Sequence, residues 1–371
     1  MKVALFTDSD VFAGTERHML DLALGLRAAG VDVQLACPVP SALAARAAGL
    51  PILRIQKRGP LDYPAVRTLA GLLRNGSVDL LHAHNGRTAL VAAVAVTLAG
   101  RGRVVATQHF LDPGHLSRRG VKALASRIGH RWVNGRMSRF IAISQAVRTA
   151  MLARGQGTVE SISVVPNGMP SVDRARLPAP ETIRAELGID PGAVLIVSVA
   201  RLELEKSLEV LIAAMSEIAA AEPSAVCIIV GDGSQKLALQ ARIAALGRES
   251  RIKLIGFRSD ALAVMNAADL FVLPSQHEPF GLVLIEAMSL GKPVIATGAG
   301  GPLEIVVNGE TGLLVAPAAV GEMGRALLAL VRDAALRGRM GAAGGARFLA
   351  KFTLDRMVRA TLEAYGKALA S

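Results

Sequence analysis

Two pairs of side chains stand at spacings that suit chemistry. Glu278 and Glu286 lie eight positions apart, the first in a polar loop and the second inside the helix that follows. Between them Pro279-Phe280-Gly281 opens the helix, so the backbone N–H groups of Phe280, Gly281 and Leu282 point out of its N-terminus. Those donors and the helix dipole favour an anion. An acid beside an anion site suits a ligand that also carries hydroxyls, because an ionised carboxylate accepts their hydrogen bonds. A phosphorylated sugar has both groups. The plain alternative is a capping acid with a helical salt-bridge partner. Earlier in the chain, Arg201 and Lys206 lie five residues apart, between a strand and the next helix. Arginine as a fork and lysine as a point charge can hold a diphosphate there. Glu203 and Glu205 offer the competing reading of a local salt-bridge cluster.

These residues need a frame that brings strand ends together. The stretch FVLPSQHEPFGLVLIEAMSLGKPVIAT, residues 271–297, reads as strand, loop, helix and strand, with Gly291 suited to the left-handed position that ends the helix. Loops at strand C-termini are where such folds bind ligands. The first half alternates in the same way, with strands at 3–7, 33–37, 52–55, 80–83, 104–108 and 140–143 and a helix at 15–29 closed by Gly30. The second half restarts at 194–199 and continues at 226–230, 252–255, 269–273 and 293–296, with helices such as 208–219 and 236–246 between. Alternation of this kind predicts α/β architecture with parallel sheets, helices on both faces and two doubly wound halves. They join near the proline-rich stretch 166–180. An amphipathic helix over 354–369 follows the second sheet and is expected to cross back onto the first domain.

Other candidates carry weaker signals. Ala13-Gly14-Thr15-Glu16 enters the first helix, where Gly14 lets a ligand approach the backbone, or simply makes a tight turn. Asp8-Ser9-Asp10 resembles a D-x-D metal pair, but no third ligand is suggested nearby and turn or helix capping is the expected role. His82-x-His84 lacks a cysteine or acid partner at ligand spacing and reads as structural or pocket-lining. His109 ends a strand at the rim of the sheet, where a side chain can touch substrate. Gly231-Asp232-Gly233 and Gly256-Phe257-Arg258 close two further strands on the edge that carries Glu278, and Gly298-Ala299-Gly300-Gly301 permits close backbone approach there. The G-x-G-x-x-G of dinucleotide sites does not occur, which weakens a nicotinamide oxidoreductase reading.

At 371 residues and 51% hydrophobic, the chain suits two packed α/β domains. Cys37 and Cys227 sit in apolar runs and read as small buried hydrophobes in a reducing compartment. The N-terminal apolar run is too short for a signal peptide and no 18-residue uncharged apolar span occurs, so a cytoplasmic protein is expected. The charge is lopsided. Residues 1–170 hold 21 lysines and arginines against 9 acids, which accounts for the whole net charge of +12. Arg118, Arg119, Lys122, Arg127, Arg131, Arg136 and Arg139 crowd one stretch with a single acid, Asp112, between 101 and 150. A solvated helix face explains them; so does contact with an anionic membrane surface, with Trp132 at the edge. With 3% aromatic residues and no reader motif, nucleic acid is not the expected partner.

Taken together in their order, AGTE, HAH, TQH, IAIS, VPNG, ARLELEK, VGDG, IGF, HEPFGLVLIEAMSLGKPVIAT and GGPLEIVVNGETGLLV resemble the retaining glycosyltransferase family four over nearly the whole chain. The resemblance implies the GT-B fold, two Rossmann-like doubly wound domains facing each other across a cleft. It divides the chain into an acceptor-side domain, 1–169 with the crossover helix 354–371, and a nucleotide-sugar-binding domain, 170–353. It implies that Arg201 and Lys206 neutralise the donor diphosphate, Glu286 bonds the ribose, and Glu278 holds donor-sugar hydroxyls near the reacting carbon. Backbone groups at Phe280, Gly281 and Leu282 would cradle the sugar and distal phosphate. Gly14 would lie over the phosphates, His109 near the sugar, and Gly233, Phe257 and Arg258 would complete the nucleotide-sugar site, the last two by the base. One departure is Ser207, where the family often has glycine. The implied activity is hexosyl transfer with retention from a nucleotide-diphosphate sugar (UDP or GDP) to a glycan or lipid-linked acceptor. No metal or cofactor is implied. A cell-envelope polysaccharide, lipopolysaccharide or glycolipid is the expected product, made by an enzyme peripheral on the inner face of the membrane. A nucleotide-sugar epimerase of the same fold is the alternative.

Overall fold

Short apolar runs buried on both faces become parallel strands, because only a sheet covered by helices on each side hides every side chain of such a run. Val226, Ile228 and Val230 alternate with Ala225, Cys227 and Ile229, and all six are buried. The computed structural model describes residues 1–47, 49–55, 62–111 and 129–371. These fall into two compact units, Met1–Pro170 with Thr353–Ser371, and Ser171–Phe352.

The first unit holds a seven-stranded parallel sheet in the order β3-β2-β1-β4-β5-β6-β7. Its strands are β1 (Lys2–Phe6), β2 (Asp32–Pro38), β3 (Ile52–Ile55), β4 (Leu80–Ala83), β5 (Arg103–Gln108), β6 (Arg139–Ala142) and β7 (Ile162–Val164). The second unit holds a six-stranded parallel sheet, β10-β9-β8-β11-β12-β13. Here the strands are β8 (Val194–Val199), β9 (Ala225–Val230), β10 (Ile252–Leu254), β11 (Leu270–Leu273), β12 (Val294–Thr297) and β13 (Gly312–Val315). Expected and observed strands agree to within a residue or two at each end. The edge strands β7 and β13 are additions: three and four residues are too few for a sequence period to announce. Two helices, Val320–Arg332 and Ala334–Lys351, also had no counterpart in the sequence reading.

The helix Leu354–Ala370 belongs to the first unit and packs on the helix Gly14–Ala28. A Cβ at Gly25 would strike the Val358 side chain at 2.5 Å, so glycine there sets the closeness of the two helices. Leu354 N donates to the Met169 carbonyl, Arg103 Nε donates to the Ala368 carbonyl, and Tyr365 is fully buried. Both cysteines are buried and free, and burial pushes the Cys227 thiol up to about 12. No helix among the described residues is long and apolar enough to cross a membrane.

Candidate active site

In the second unit the strand order reverses between β8 and β11, and an open α/β sheet binds ligands at such a switch point, beyond the strand C-termini. Register fixes which loops meet there: Ile196 pairs with Leu270 and Val197 with Phe271, so the ends at Val199 and Leu273 come level. The loops that follow are tied together. Gln276 N donates to the Glu205 carbonyl at 3.0 Å, and Lys206 Nζ donates to Glu278 at 2.7 Å across 72 residues of sequence. Only 16% and 12% of these two side chains is exposed. A lysine has three donors, so Lys206 can keep Glu278 and still face an anion.

The competing local cluster is half realised. Arg201 does pair with Glu205 at 2.8 Å, in an exposed i,i+4 bridge. Glu203 instead accepts from the backbone N and hydroxyl of Ser234, which holds its carboxyl below the usual range. Ser207, the departure noted in the sequence, sits at φ 48°, ψ 37°, a left-handed conformation that glycine adopts without strain.

The 278–281 loop rests on a second backbone. Gly301 N donates to the Glu278 carbonyl at 2.8 Å, and a Cβ at Gly301 would lie 2.3 Å from both Cα and O of Phe280. The close approach expected of the 298–301 glycines is therefore to this loop. Phe280 is buried with its ring edge-on to Phe352, so it offers a ligand only its backbone. Gly281, at φ 106°, is the N-cap of the helix Leu282–Ser289, whose first N–H groups have no partner within the helix. Glu286 is half-buried on the second turn of that helix.

Gly233 lies in the turn after β9, whose Asp232 carbonyl accepts from Leu202 N; a Cβ on Gly233 would meet the Leu202 carbonyl at 2.5 Å. Phe257 is 74% exposed. Arg258 has acid partners of its own. Its guanidinium is held between Glu186 at 2.5 Å and Asp260 at 2.6 Å, which raises its pKa further, so it fastens its own loop to the helix Pro180–Glu186.

The first unit gathers histidines. His82 on β4 is fixed on both ring nitrogens, Nδ1 by the Tyr365 hydroxyl at 2.6 Å and Nε2 by Thr107 at 2.7 Å. His84 just beyond β4 faces His109 beyond β5, with Nδ1 and Nε2 3.2 Å apart. His18, from the helix Gly14–Ala28, lies edge-on to His109 with ring centroids 4.9 Å apart. All four rings are buried. Desolvation drives His18 down to about 4 and His82 to about 3, and pushes His84 and His109 well below the ordinary range, so the rings are neutral at pH 7. Sequence reasoning missed His18, yet a signal existed: it lies four positions before Leu22 and eight before Leu26, on the buried face of its helix.

Gly14 is exposed at the start of that helix, and Glu16 accepts from Ala13 N at 3.0 Å, so the acid of AGTE secures the helix entry. Asp8 caps no helix. Its oxygens face Asn85 Nδ2 and Arg87 Nε, each at 2.8 Å, while Asn85 itself caps the helix Gly86–Ala99. Of the basic stretch, Arg118, Arg119, Lys122 and Arg127 lie outside the described residues. Arg136 stacks over the Trp132 ring at 5.4 Å, and Arg139 donates to the Glu160 carbonyl.

Comparison with known proteins places this geometry. The profile of "Glycosyl transferases group 1" matches residues 180–347, and that of "Glycosyltransferase Family 4" matches residues 12–171. A glycogen synthase of Mycobacterium tuberculosis is 32% identical over 306 residues, 80% of this chain and 70% of that protein. The lipopolysaccharide core biosynthesis glycosyltransferase LpsD of Rhizobium meliloti is 30% identical over 221 residues, 60% of this chain and 62% of its own. The crystal structure of Anabaena Alr3699/HepE in complex with UDP superposes with a TM-score of 0.86 at 26% identity, covering 99% of this chain and 100% of that one; the same protein is also known with UDP-glucose. A nucleotide-sugar epimerase finds no support among these relatives. Because the two profiles together cover residues 12–171 and 180–347 and the likeness to a glycogen synthase runs through four fifths of the residues, the chain belongs to the family-four glycosyltransferases, with the GT-B fold.

Proposed function

We propose that this glycosyltransferase moves a hexosyl group from a UDP-hexose to a hydroxyl of a glycan acceptor, with retention of anomeric configuration and without a catalytic metal. The single observation that carries the site assignment is the Lys206–Glu278 pair at the β8/β11 switch point, flanked by Arg201 and the N-terminus of the helix Leu282–Ser289. In this reading the bond from the anomeric carbon to the diphosphate oxygen breaks while the bond to the acceptor oxygen forms. The acceptor's proton passes to the departing UDP. Negative charge grows on the diphosphate, which Arg201, Lys206 and the helix N–H groups would stabilise. Glu278 has two tasks, holding Lys206 and accepting from donor-sugar hydroxyls. Glu286 takes the ribose, Phe257 the base, and Gly14 and His109 the places the family gives them.

UDP, rather than GDP, is favoured by the HepE complexes with UDP and UDP-glucose. A cell-envelope glycan is the acceptor class favoured by the likeness to LpsD, and the net positive charge carried by the first half of the chain suits a peripheral location on an anionic membrane.

The test is calorimetric titration with UDP, GDP and ADP in EDTA, on wild type and Arg201→Ala. UDP should bind without metal, and the variant should bind it roughly 10- to 100-fold more weakly, the worth of one charge-assisted contact. Its unfolding midpoint should hardly move, since an exposed i,i+4 bridge contributes under about 0.5 kcal/mol. Binding that requires added magnesium or manganese, or no binding of any nucleotide, overturns the reading.

A further inference from the structure

We propose that His18, His84 and His109, the last being the residue that the proposed function sets near the donor sugar, form a binding site for a zinc-class divalent cation, distinct from the Arg201–Lys206 diphosphate site. Each of the three buried rings offers one nitrogen, and these nitrogens lie within 4.8 Å of one another. The residues come from three elements, the helix Gly14–Ala28 and the loops after β4 and β5, which parallel pairing of β1 with β4 and β4 with β5 brings to one edge of the sheet.

Tetrahedral zinc with Zn–N bonds of about 2.05 Å spaces its nitrogen ligands about 3.3 Å apart. His84 Nδ1 and His109 Nε2, hydrogen-bonded to each other at 3.2 Å, already stand at that spacing, so the ion would replace the proton between them. The third nitrogen has to close by no more than about 1.5 Å, which a ring rotation supplies. A second observation points the same way. Neither ring nitrogen of His18 meets a hydrogen-bond partner, although both are buried. Asn167 lies near enough to His18 to favour its protonated form without reaching bonding geometry. Buried polar atoms in native proteins are nearly always satisfied, so the orphaned His18 nitrogens beside the His84–His109 pair invite a ligand.

The donor set selects the ion. Neutral imidazoles suit zinc, copper, nickel and cobalt, while magnesium and calcium prefer oxygen. His82 stays outside the site because Tyr365 and Thr107 occupy both of its nitrogens. The obvious sequence pair His82-x-His84 is thus split, and the tertiary structure substitutes His18 and His109 as the partners of His84.

The experiment adds zinc chloride to the metal-free full chain and follows binding by chelator competition, with cobalt chloride as a spectroscopic probe. One zinc per chain and the visible absorption of tetrahedral cobalt are expected, neither displaced by excess magnesium. His18→Gln, close to isosteric, should weaken zinc by about 100-fold or more, at or beyond the upper end of what loss of a mere supporting contact costs. His277→Ala, an exposed histidine of the other unit, should leave binding unchanged. Wild type that takes up no stoichiometric zinc overturns the site whatever the variants do. Equal zinc affinity in folded His18→Gln, or cobalt spectra of octahedral type, overturns it as well.

Discussion

Gly301→Ala tests the claim that the position of Glu278, and not only its presence, sets catalysis. The added Cβ would sit 2.3 Å from Phe280 Cα and O, where ordinary contact begins at 3.4 Å. The atoms struck are backbone, so rotamer change gives no relief and the 278–281 loop must retreat by about 1 Å. That loop carries Glu278, held to the glycine run by the Gly301 N–Glu278 O bond, and Glu278 in turn holds Lys206. A misplacement of about 1 Å in a positioning group costs about 100-fold in rate, or about 2.7 kcal/mol of transition-state stabilisation. The clash itself should cost roughly 1–3 kcal/mol of stability. The assay is kcat/KM for UDP release from UDP-glucose, beside a urea unfolding curve. Gly298→Ala is the matched control, because its Cβ meets nothing nearer than 3.6 Å and should stay close to wild type. If the two variants lie within about threefold of each other, loop placement is not what the glycine secures and the argument fails.

Ser207→Gly should leave stability unchanged or raise it by up to about 1 kcal/mol, since relief of left-handed strain offsets the added entropy of the unfolded chain; a urea midpoint that falls would contradict this. Acid should destabilise the fold through the histidine cluster. The folded pKa values of His18 and His82, about 4 and about 3, lie below the unfolded value of 6.5, so from pH 6.5 down to about 4 the unfolded chain takes protons the folded one refuses. The stability these neutral rings contribute is complete above pH 6.5 and is lost as the pH falls, at about 1.4 kcal/mol per pH unit for each such histidine. Unfolding curves at pH 5 and pH 7 should show net proton uptake on unfolding, reduced by about one in His82→Gln; no uptake refutes the assignment.

The alternation of apolar runs with amphipathic helices was enough to read two parallel α/β sheets, because burial on both faces leaves its mark on every residue of a strand. The motifs around Glu278, Glu286, Arg201 and Lys206 were legible for a similar reason: each sits at the end of a strand, and a strand end in such a fold is a place where side chains meet ligands. Local sequence carries those facts because they depend on neighbours within a few positions. What it could not carry was pairing across the fold. Only the order β8-β11 brings Lys206 onto Glu278, and only backbone contact explains why residue 301 is glycine. Nothing near Arg258 in the sequence announces its pairing with Glu186, 72 residues away. Likewise His82 and His84 are two residues apart and nearly alike in sequence context, yet Tyr365 from the last helix fixes one while His18 and His109 surround the other. Strand periodicity is written along the chain. Which side chains face one another is decided by sheet order and register, and these exist only once the chain is folded.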